Sequence, residues 1–140
     1  MPIAGPVIVI DDDSDDQEIF ADVLKELGVP NELKFFHDGN DIIQYLRTTP
    51  DKPFIIISDI ELAGSLHGLE VREIIFKDDY LRRKSIPYVF LTTSVSKKVL
   101  NKAYEMEVQG FFQKQTSYKA IKAQVKLIIE YWKLCEHPIL

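Results

Sequence analysis

Five short apolar runs alternate along this chain with segments whose apolar residues recur three and four positions apart. The runs cover residues 7–10, 33–36, 54–57, 87–91 and 110–113, which are lengths typical of β-strands. The segments that follow them have the apolar spacing of one helix face. The pattern therefore predicts five strands that alternate with five helices.

The third run indicates how the strands are arranged. Ile55, Ile56 and Ile57 are apolar at consecutive positions, as in a parallel strand that helices cover on both faces. Parallel strands joined by right-handed helical crossovers form a doubly wound sheet. We therefore expect an α/β fold with a single five-stranded parallel sheet, doubly wound in (βα)5 order.

Length and composition restrict the class of protein. The 140 residues contain no repeat or linker, so we expect one domain over residues 1–140, with its core at about 6–133 and no output domain. The net charge of −5 disfavours nucleic acid and anionic lipid as main partners. The single cysteine and three scattered histidines disfavour a disulfide or a zinc site. Since there is neither an export signal nor an apolar run near the roughly 18 residues of a membrane helix, we expect a cytoplasmic protein.

Polar side chains follow four of the five predicted strands. Asp11 and Asp12 follow the first strand, and Asp59 comes just after the third. Thr92 follows the fourth strand and Lys114 the fifth. Because ligands of doubly wound sheets bind at the carboxyl ends of the strands, we expect these side chains to form one site.

The residue types in this set favour a particular chemistry. Carboxylates that share a pocket raise each other's pKa unless a cation lies among them, and Mg²⁺ accepts such an oxygen-only site. The Asp59 carboxylate could then attack phosphorus and form an aspartyl phosphate. Mg²⁺, Lys114 and Thr92 would neutralise charge on the phosphoryl oxygens. The sequence therefore predicts phosphoryl transfer to an aspartate.

The other acids near the first strand have a structural interpretation. Ser14 and Gln17 have the spacing of a capping box. Asp13, Asp15 and Asp16 lie where carboxylates stabilise the first turn of a helix or face solvent. We therefore expect these three acids to lie outside the site.

The motifs around these residues resemble the receiver domain of bacterial two-component response regulators, the CheY-like family, from residue 7 to about residue 132. The resemblance implies a flavodoxin/CheY-like sheet with strand order 2-1-3-4-5. It implies that Asp11 and Asp12 hold Mg²⁺. It also implies that Asp59 is the phosphorylated residue and that Glu61 lends its backbone carbonyl to the metal.

The same resemblance implies a switch. Thr92 matches the family's switch hydroxyl, Phe111 its aromatic switch position and Lys114 its invariant lysine. Gly68 resembles the glycine that opens the third helix. Phosphorylation would draw Thr92 and Lys114 to the new oxygens, let Phe111 turn inward and change the surface formed by the fourth helix, fifth strand and fifth helix. The alternative for Phe111 is ordinary core packing.

Three features depart from the family pattern. Gln115 follows Lys114 where the family usually has proline, so we expect a trans peptide bond and a less firmly aimed lysine. Ala63 stands where proline is common, and the stretch 64–67 is about one residue longer than usual, which predicts a more mobile loop. His67 on this loop is either a phosphate neighbour or an ordinary loop residue.

The resemblance also implies partners. A histidine kinase or a histidine phosphotransfer protein would phosphorylate this stand-alone receiver, which would bind an unidentified downstream protein as a monomer or a weak, phosphorylation-dependent dimer. It implies no enzyme activity beyond self-phosphorylation and autodephosphorylation. The alternative is an interaction module of the same fold that signals without phosphate. A phosphatase with an aspartate nucleophile is disfavoured because Glu61 stands where a second aspartate is needed, and a flavin-binding protein because acids follow the first strand.

Overall fold

The computed structural model describes residues 5–62 and 66–138, and five strands and six helices lie within them. In chain order the elements are β1 (Val7–Ile10), α1 (Ser14–Glu26), β2 (Leu33–Phe36), α2 (Gly39–Thr48), β3 (Ile55–Ser58), α3 (Gly68–Lys77), α4 (Asp79–Arg83), β4 (Tyr88–Thr92), α5 (Lys97–Glu105), β5 (Gly110–Gln113) and α6 (Tyr118–Leu134). Three strands have the predicted bounds, while β3 begins and ends one residue later than predicted and β4 does the same. No helix within the described ranges combines the length and apolarity that crossing a bilayer requires.

The five strands form one parallel sheet in the order β2-β1-β3-β4-β5, which confirms the predicted fold and strand order. The central strand is β3, in which Ile57 lies opposite Val9 of β1 and Val89 of β4. All four residues of β3 are buried, as its consecutive isoleucines predict.

Alternate residues of each strand pack on opposite faces of the sheet. One core lies between the sheet and helices α1 and α6, and the other between the sheet and α2 to α5. In β1, Val7 and Val9 belong to the first core and Ile8 and Ile10 to the second. Since all the strands are parallel, their carboxyl ends meet at one edge of the sheet.

The connection between β3 and β4 contains two helices instead of the predicted one. Asp78 separates them: its amide donates to the carbonyl of Ile74 at the end of α3, and its carboxylate accepts a hydrogen bond from the amide of Leu81 as the N-cap of α4. Leu81 is the buried residue of this five-residue helix. Because one buried apolar residue gives no helical period in the sequence, α4 was not predicted, and the prediction of five helices was wrong.

Helix α1 is capped differently from the prediction. Asp13 is the N-cap, and its Oδ1 accepts a hydrogen bond from the amide of Asp15 at 2.8 Å. The predicted capping box of Ser14 and Gln17 is therefore wrong, whereas the capping role of Asp13 is confirmed. Asp13 takes this role because its extended backbone aims the carboxylate at the free amides of the first turn.

Candidate functional site

The carboxyl edge of the sheet brings four predicted site residues together. The amide of Asp59 donates to the carbonyl of Ile10, and the amide of Lys114 donates to the carbonyl of Thr92, each at 2.8 Å. These bonds continue the strand ladders, so the residues after β3 and β5 are placed by the sheet itself. The side chain of Lys114 then contacts Asp11, which is 103 positions away in the chain.

Asp59 lies at the mouth of this edge, with 12% of its side chain exposed. Its Oδ1 accepts hydrogen bonds from the hydroxyl of Thr92 at 2.5 Å and from the amide of Ile60 at 2.7 Å. Its Oδ2 faces Nζ of Lys114 at 3.5 Å. Two donors and a cation therefore orient a carboxylate that still reaches solvent.

Thr92 is fully buried at the end of β4. Its hydroxyl already donates to the Asp59 carboxylate in the unphosphorylated protein, whereas the family resemblance implies that phosphorylation draws it there. The same hydroxyl accepts a hydrogen bond from the amide of Ser94 at 3.1 Å, which fixes the loop after β4. Thr92 thus connects the carboxylate of Asp59 to this loop before any modification.

Lys114 faces three carboxylates. Its Nζ donates to Oδ2 of Asp11 and to Oδ2 of Asp16, each at 2.9 Å, and approaches Oδ2 of Asp59. Sequence reasoning missed Asp16, because the first-turn position of that acid has a sufficient local explanation in the helix dipole. The expectation that Asp16 serves only as a cap or solvated residue was wrong.

Burial and the neighbouring charges shift the pKa values of three groups in this pocket. Burial raises the pKa of Asp11 to about 7, and the neighbouring Asp16 carboxyl adds to this effect, while the Asp13 amide and Lys114 oppose it. Burial also acts to raise the pKa of Asp16, but hydrogen bonds with Asp11 and Lys114 outweigh it and lower that pKa. Burial disfavours the charge of Lys114, but hydrogen bonds with Asp16 and Asp11 outweigh it and raise the pKa of the lysine. One ammonium thus serves three carboxylates, and a further cation would relieve their repulsion.

Asp11, Asp12 and Asp59 are arranged as a cation site. Each offers a carboxylate oxygen, and these atoms lie within 4.8 Å of one another. Asp11 is buried, Asp59 half-buried and Asp12 exposed, so the cluster opens to solvent on one side. A few carboxylates with open positions suit a hard divalent ion such as Mg²⁺. Glu61 lies in the loop after β3, and the role of its backbone carbonyl as a ligand stays a prediction.

The loop after Asp59 is hydrogen-bonded to the first residue of α3. The amide of Gly68 donates to the carbonyl of Ile60 at 2.7 Å, and a Cβ at Gly68 would lie 2.2 Å from the backbone oxygen of Asp59. Only glycine fits this approach without a shift of the backbone. Gly68 is the first residue of α3, as the family resemblance implies.

His67 is the N-cap of α3. It was predicted to be either a phosphate neighbour or an ordinary loop residue, and neither prediction included this capping role. Its Nδ1 accepts a hydrogen bond from the amide of Leu69 at 3.3 Å, and its own amide donates to the carboxylate of Glu70 at 3.0 Å. Its Nε2 lies 3.5 Å from the carboxylate of Glu61.

The predicted mobility of this loop concerns Ala63, Gly64 and Ser65, which lie outside the described residues.

The loop that carries Lys114 is ordered without the family's proline. No cis peptide bond occurs within the described residues, so the bond between Lys114 and Gln115 is trans, as expected. Gln124 of α6, which sequence reasoning missed, binds the backbone on both sides of the lysine, at Gln113 and at Gln115. Lys114 contacts the carboxylates of Asp11 and Asp16, and the expectation that it is less firmly aimed stays a prediction.

Phe111 is half-buried on the edge strand β5. Its ring centroid lies 5.7 Å from that of Phe90, and it packs against the core between the sheet and α2 to α5. Phe112 packs against the other core. Core packing accounts for the position of both rings, and the switch role of Phe111 stays a prediction.

Comparison with known proteins agrees with this arrangement. A family model described as the response regulator receiver domain matches residues 7–126. The chain is 28% identical to the probable methanogenesis regulatory protein FilR2 of Methanothrix harundinacea, over 90% of this chain and 82% of that protein. It is 27% identical to the response regulator Rcp1 of Synechocystis, over 90% of this chain and 87% of that protein.

Solved structures share the fold over nearly the whole length. The phosphorylated cyanobacterial phytochrome response regulator RcpA has a TM-score of 0.83 at 27% identity, over 92% of this chain and 94% of that one. The Mn²⁺-bound form of Rcp1 has a TM-score of 0.81 at 27% identity, over 96% of this chain and 99% of that one. One of these relatives is thus phosphorylated and the other holds a divalent cation, and the carboxylate cluster of this chain is consistent with a divalent cation site.

Proposed function

Since this chain belongs to the family of response regulator receiver domains, we propose that it is a Mg²⁺-dependent phosphoacceptor switch of a two-component phosphorelay, phosphorylated on Asp59 by a histidine kinase or a histidine phosphotransfer protein. The environment of Asp59 carries the proposal. Its carboxylate is partly exposed, accepts hydrogen bonds from Thr92 and Ile60, lies beside Lys114 and belongs to the carboxylate cluster with Asp11 and Asp12. A domain with a purely structural role has no need of such a costly cluster of charges.

Phosphoryl transfer requires a nucleophile and stabilisation of charge. A carboxylate oxygen of Asp59 attacks the phosphorus of a phosphohistidine, the new P–O bond forms as the P–N bond breaks, and the departing imidazole takes up a proton from solvent. When bound by Asp11, Asp12, Asp59 and the backbone carbonyl of Glu61, Mg²⁺ supplies positive charge to the transferred group. Lys114 supplies a second positive charge from its contacts with the Asp11 and Asp59 carboxylates.

The phosphoryl group then changes the balance of contacts at Lys114. Phosphorylation replaces the single negative charge of the Asp59 carboxylate with a phosphoryl group that carries up to about two. In the unmodified protein Nζ of Lys114 lies 3.5 Å from Asp59 and is shared among three carboxylates. The lysine is drawn toward the stronger anion, and its loop is continuous with β5 and Phe111. We propose that this displacement, together with a movement of the loop after Thr92, shifts the balance between two conformations of the surface formed by α5, β5 and α6.

The remaining properties belong to the same proposal. The protein acts once per phosphorylation event and has no catalytic turnover of its own beyond self-phosphorylation and autodephosphorylation. It works in the cytoplasm, where its kinase or phosphotransfer partner presents phosphohistidine. It signals to a downstream protein as a monomer or a weak, phosphorylation-dependent dimer.

Intact-protein mass spectrometry after incubation with acetyl phosphate tests the proposal. We expect one added phosphoryl group in Mg²⁺, none in a chelator and none in Asp59→Asn. Asp51→Asn is the matched control, because Asp51 is exposed and lies before β3 rather than after it. Phosphorylation of Asp59→Asn at the wild-type level would contradict the assignment of the acceptor. Absence of any adduct in the folded wild-type protein would favour an interaction module that works without phosphate.

A further inference from the structure

A cavity of about 340 Å³ lies at the edge of the sheet opposite Asp59. Ile86 and Pro87 line it just before β4, and Gln109 lines it just before β5. The phosphoacceptor cluster, by contrast, follows the carboxyl ends of the strands. The cavity is therefore separate from the proposed phosphorylation site.

The buried guanidinium of Arg72 forms part of the cavity wall. Arg72 is 7% exposed and packs between the rings of Phe76 and Tyr88, with centroid distances of 5.8 and 5.2 Å. Its Nε donates to the carbonyl of Met106 at 3.0 Å, and its Nη2 donates to the carbonyl of Glu107 at 3.2 Å. Within the described chain Nη1 has no hydrogen-bond acceptor, and no carboxylate accepts a hydrogen bond from this side chain.

The neutral partners leave the charge of Arg72 incompletely compensated. The carbonyls at the end of α5 carry the negative end of the helix dipole, which explains why the guanidinium is tolerated there. Burial nevertheless lowers the pKa of Arg72, against the attraction of Tyr88 and Glu107. A buried cation of this kind is most stable with an anion that uses its remaining donors.

A second guanidinium lines the cavity, that of Arg82, which is half-exposed and donates to Asp79 at 2.8 Å. The hydroxyl of Ser85 and the amide of Gln109 also line it, but they already donate to the carbonyls of Arg83 and Glu107. Glu107 is the one carboxylate on the lining. The lining therefore carries two guanidinium groups against one carboxylate.

The backbone around the cavity is held in an uncommon conformation. Ser85 and Glu107 have φ values of 52° and 56°, and they are the non-glycine residues with positive φ in the described chain. Ser85 follows α4 and Glu107 follows α5, where a left-handed residue ends a helix. Both line the same cavity, and residues of this kind recur at ligand sites.

We propose that this cavity binds a small organic anion, whose carboxylate or phosphate accepts hydrogen bonds from Nη1 of Arg72 and the free hydrogen of Nη2. The apolar body of the ligand packs against Ile56, Ile75 and Leu81, which form the inner wall. The volume is within the range of pockets that hold small ligands. The site is independent of phosphorylation at Asp59.

The single tryptophan of the chain, Trp132, lines the cavity and reports on its contents. Benzoate is the probe, titrated at constant ionic strength while Trp132 fluorescence is followed, and benzyl alcohol is its neutral counterpart. We expect a saturable fluorescence change with benzoate and at least about tenfold weaker binding of benzyl alcohol, which lacks the charge-assisted hydrogen bonds.

Replacing Arg72 would also remove the hydrogen bonds that join α3 to the carbonyls of Met106 and Glu107 after α5. A matched pair of substitutions at Ser85 avoids this loss. Asp and Asn both tolerate the left-handed backbone at this position, and they differ only in charge. Ser85→Asp places a carboxylate beside the two guanidinium groups and should weaken benzoate binding at least about tenfold relative to Ser85→Asn. Far-UV circular dichroism shows whether both variants are folded.

Three results would overturn the proposal: no saturable change in the wild-type protein, equal binding of benzoate and benzyl alcohol, or equal benzoate affinity in the folded Ser85→Asp and Ser85→Asn variants. The last result is decisive because Trp132 also borders a groove beside β5, which a ligand could occupy without contact to Ser85.

Discussion

The amide of Gln115 donates a hydrogen bond to Oε1 of Gln124, 3.2 Å away. The Nε2 of the same Gln124 donates to the carbonyl of Gln113 at 2.7 Å, so one side chain of α6 binds the backbone on both sides of Lys114. A proline at 115, as the family usually has, would lack the amide hydrogen of the first bond. We call this pair of bonds the Gln124 clamp; it holds the backbone on both sides of Lys114, where the family usually has proline.

Removal of the clamp should loosen Lys114. We expect Gln124→Ala to lower the free energy of unfolding by no more than about 1 kcal/mol, because the bonds are exposed, but to slow phosphorylation by acetyl phosphate several-fold. Time-resolved intact-protein mass spectrometry measures the rate. Gln44→Ala, at an exposed position of α2, is the matched control. Equal rates for the two variants would show that the clamp does not position the lysine.

Asp11 should make the metal-free protein less stable as pH rises. Its pKa is about 7 in the folded protein against an ordinary value of 3.8, so between these pH values the unfolded chain has released a proton that the folded protein keeps. The stability contributed by this group is therefore present at low pH and lost as pH rises toward 7. The lowered pKa of Asp16 acts below 3.8, and the raised pKa of Lys114 acts above 10.5, so neither cancels the effect in this window.

Urea unfolding in a chelator checks this dependence. Between about pH 5 and about pH 7, the free energy of unfolding should fall more steeply in the wild-type protein than in Asp11→Asn. Added Mg²⁺ should reverse the loss near neutral pH, because a cation favours the ionised carboxylate. The same slope in both proteins would mean that the Asp11 carboxyl is not held in its protonated form.

Gly68 should tolerate no side chain. In Gly68→Ala the new Cβ would meet the backbone of Asp59 and Ile60, at 2.2 and 2.8 Å, and displace the acceptor loop. We expect a loss of about 1–3 kcal/mol in the free energy of unfolding, measured by urea denaturation, together with slower phosphorylation. Gly28→Asn is the control, because Gly28 has φ 67° and open space around it. Wild-type stability of Gly68→Ala would refute the close approach.

Asp12 should affect the metal and not the fold. It is exposed, so Asp12→Ala should leave the free energy of unfolding within about 0.5 kcal/mol of the wild-type value. Its loss from the carboxylate cluster should weaken Mg²⁺ binding about tenfold or more, as measured by calorimetry. Asp15→Ala removes another exposed acid of the same run and should leave the affinity unchanged. Unchanged affinity in Asp12→Ala would remove Asp12 from the proposed site.

Sequence reasoning predicted that Asp11, Asp59 and Lys114 meet, because their positions depend on one rule, that the carboxyl ends of parallel strands share an edge. It missed Asp16 and Gln124, whose partners lie in other elements. Each is an ordinary polar residue of a helix, and only the packed structure brings it to the lysine loop. It missed α4 because Leu81 alone gives no period. Contacts between distant elements leave no local pattern, and they decided the details of the site.

The most direct test of the central claim identifies the residue that carries the phosphoryl group. Borohydride reduces an acyl phosphate and converts the modified aspartate to homoserine, which peptide mass spectrometry locates. After incubation with acetyl phosphate and Mg²⁺, the account predicts homoserine at position 59, and none there when a chelator is present. Homoserine at another aspartate, with Asp59 intact, would contradict it.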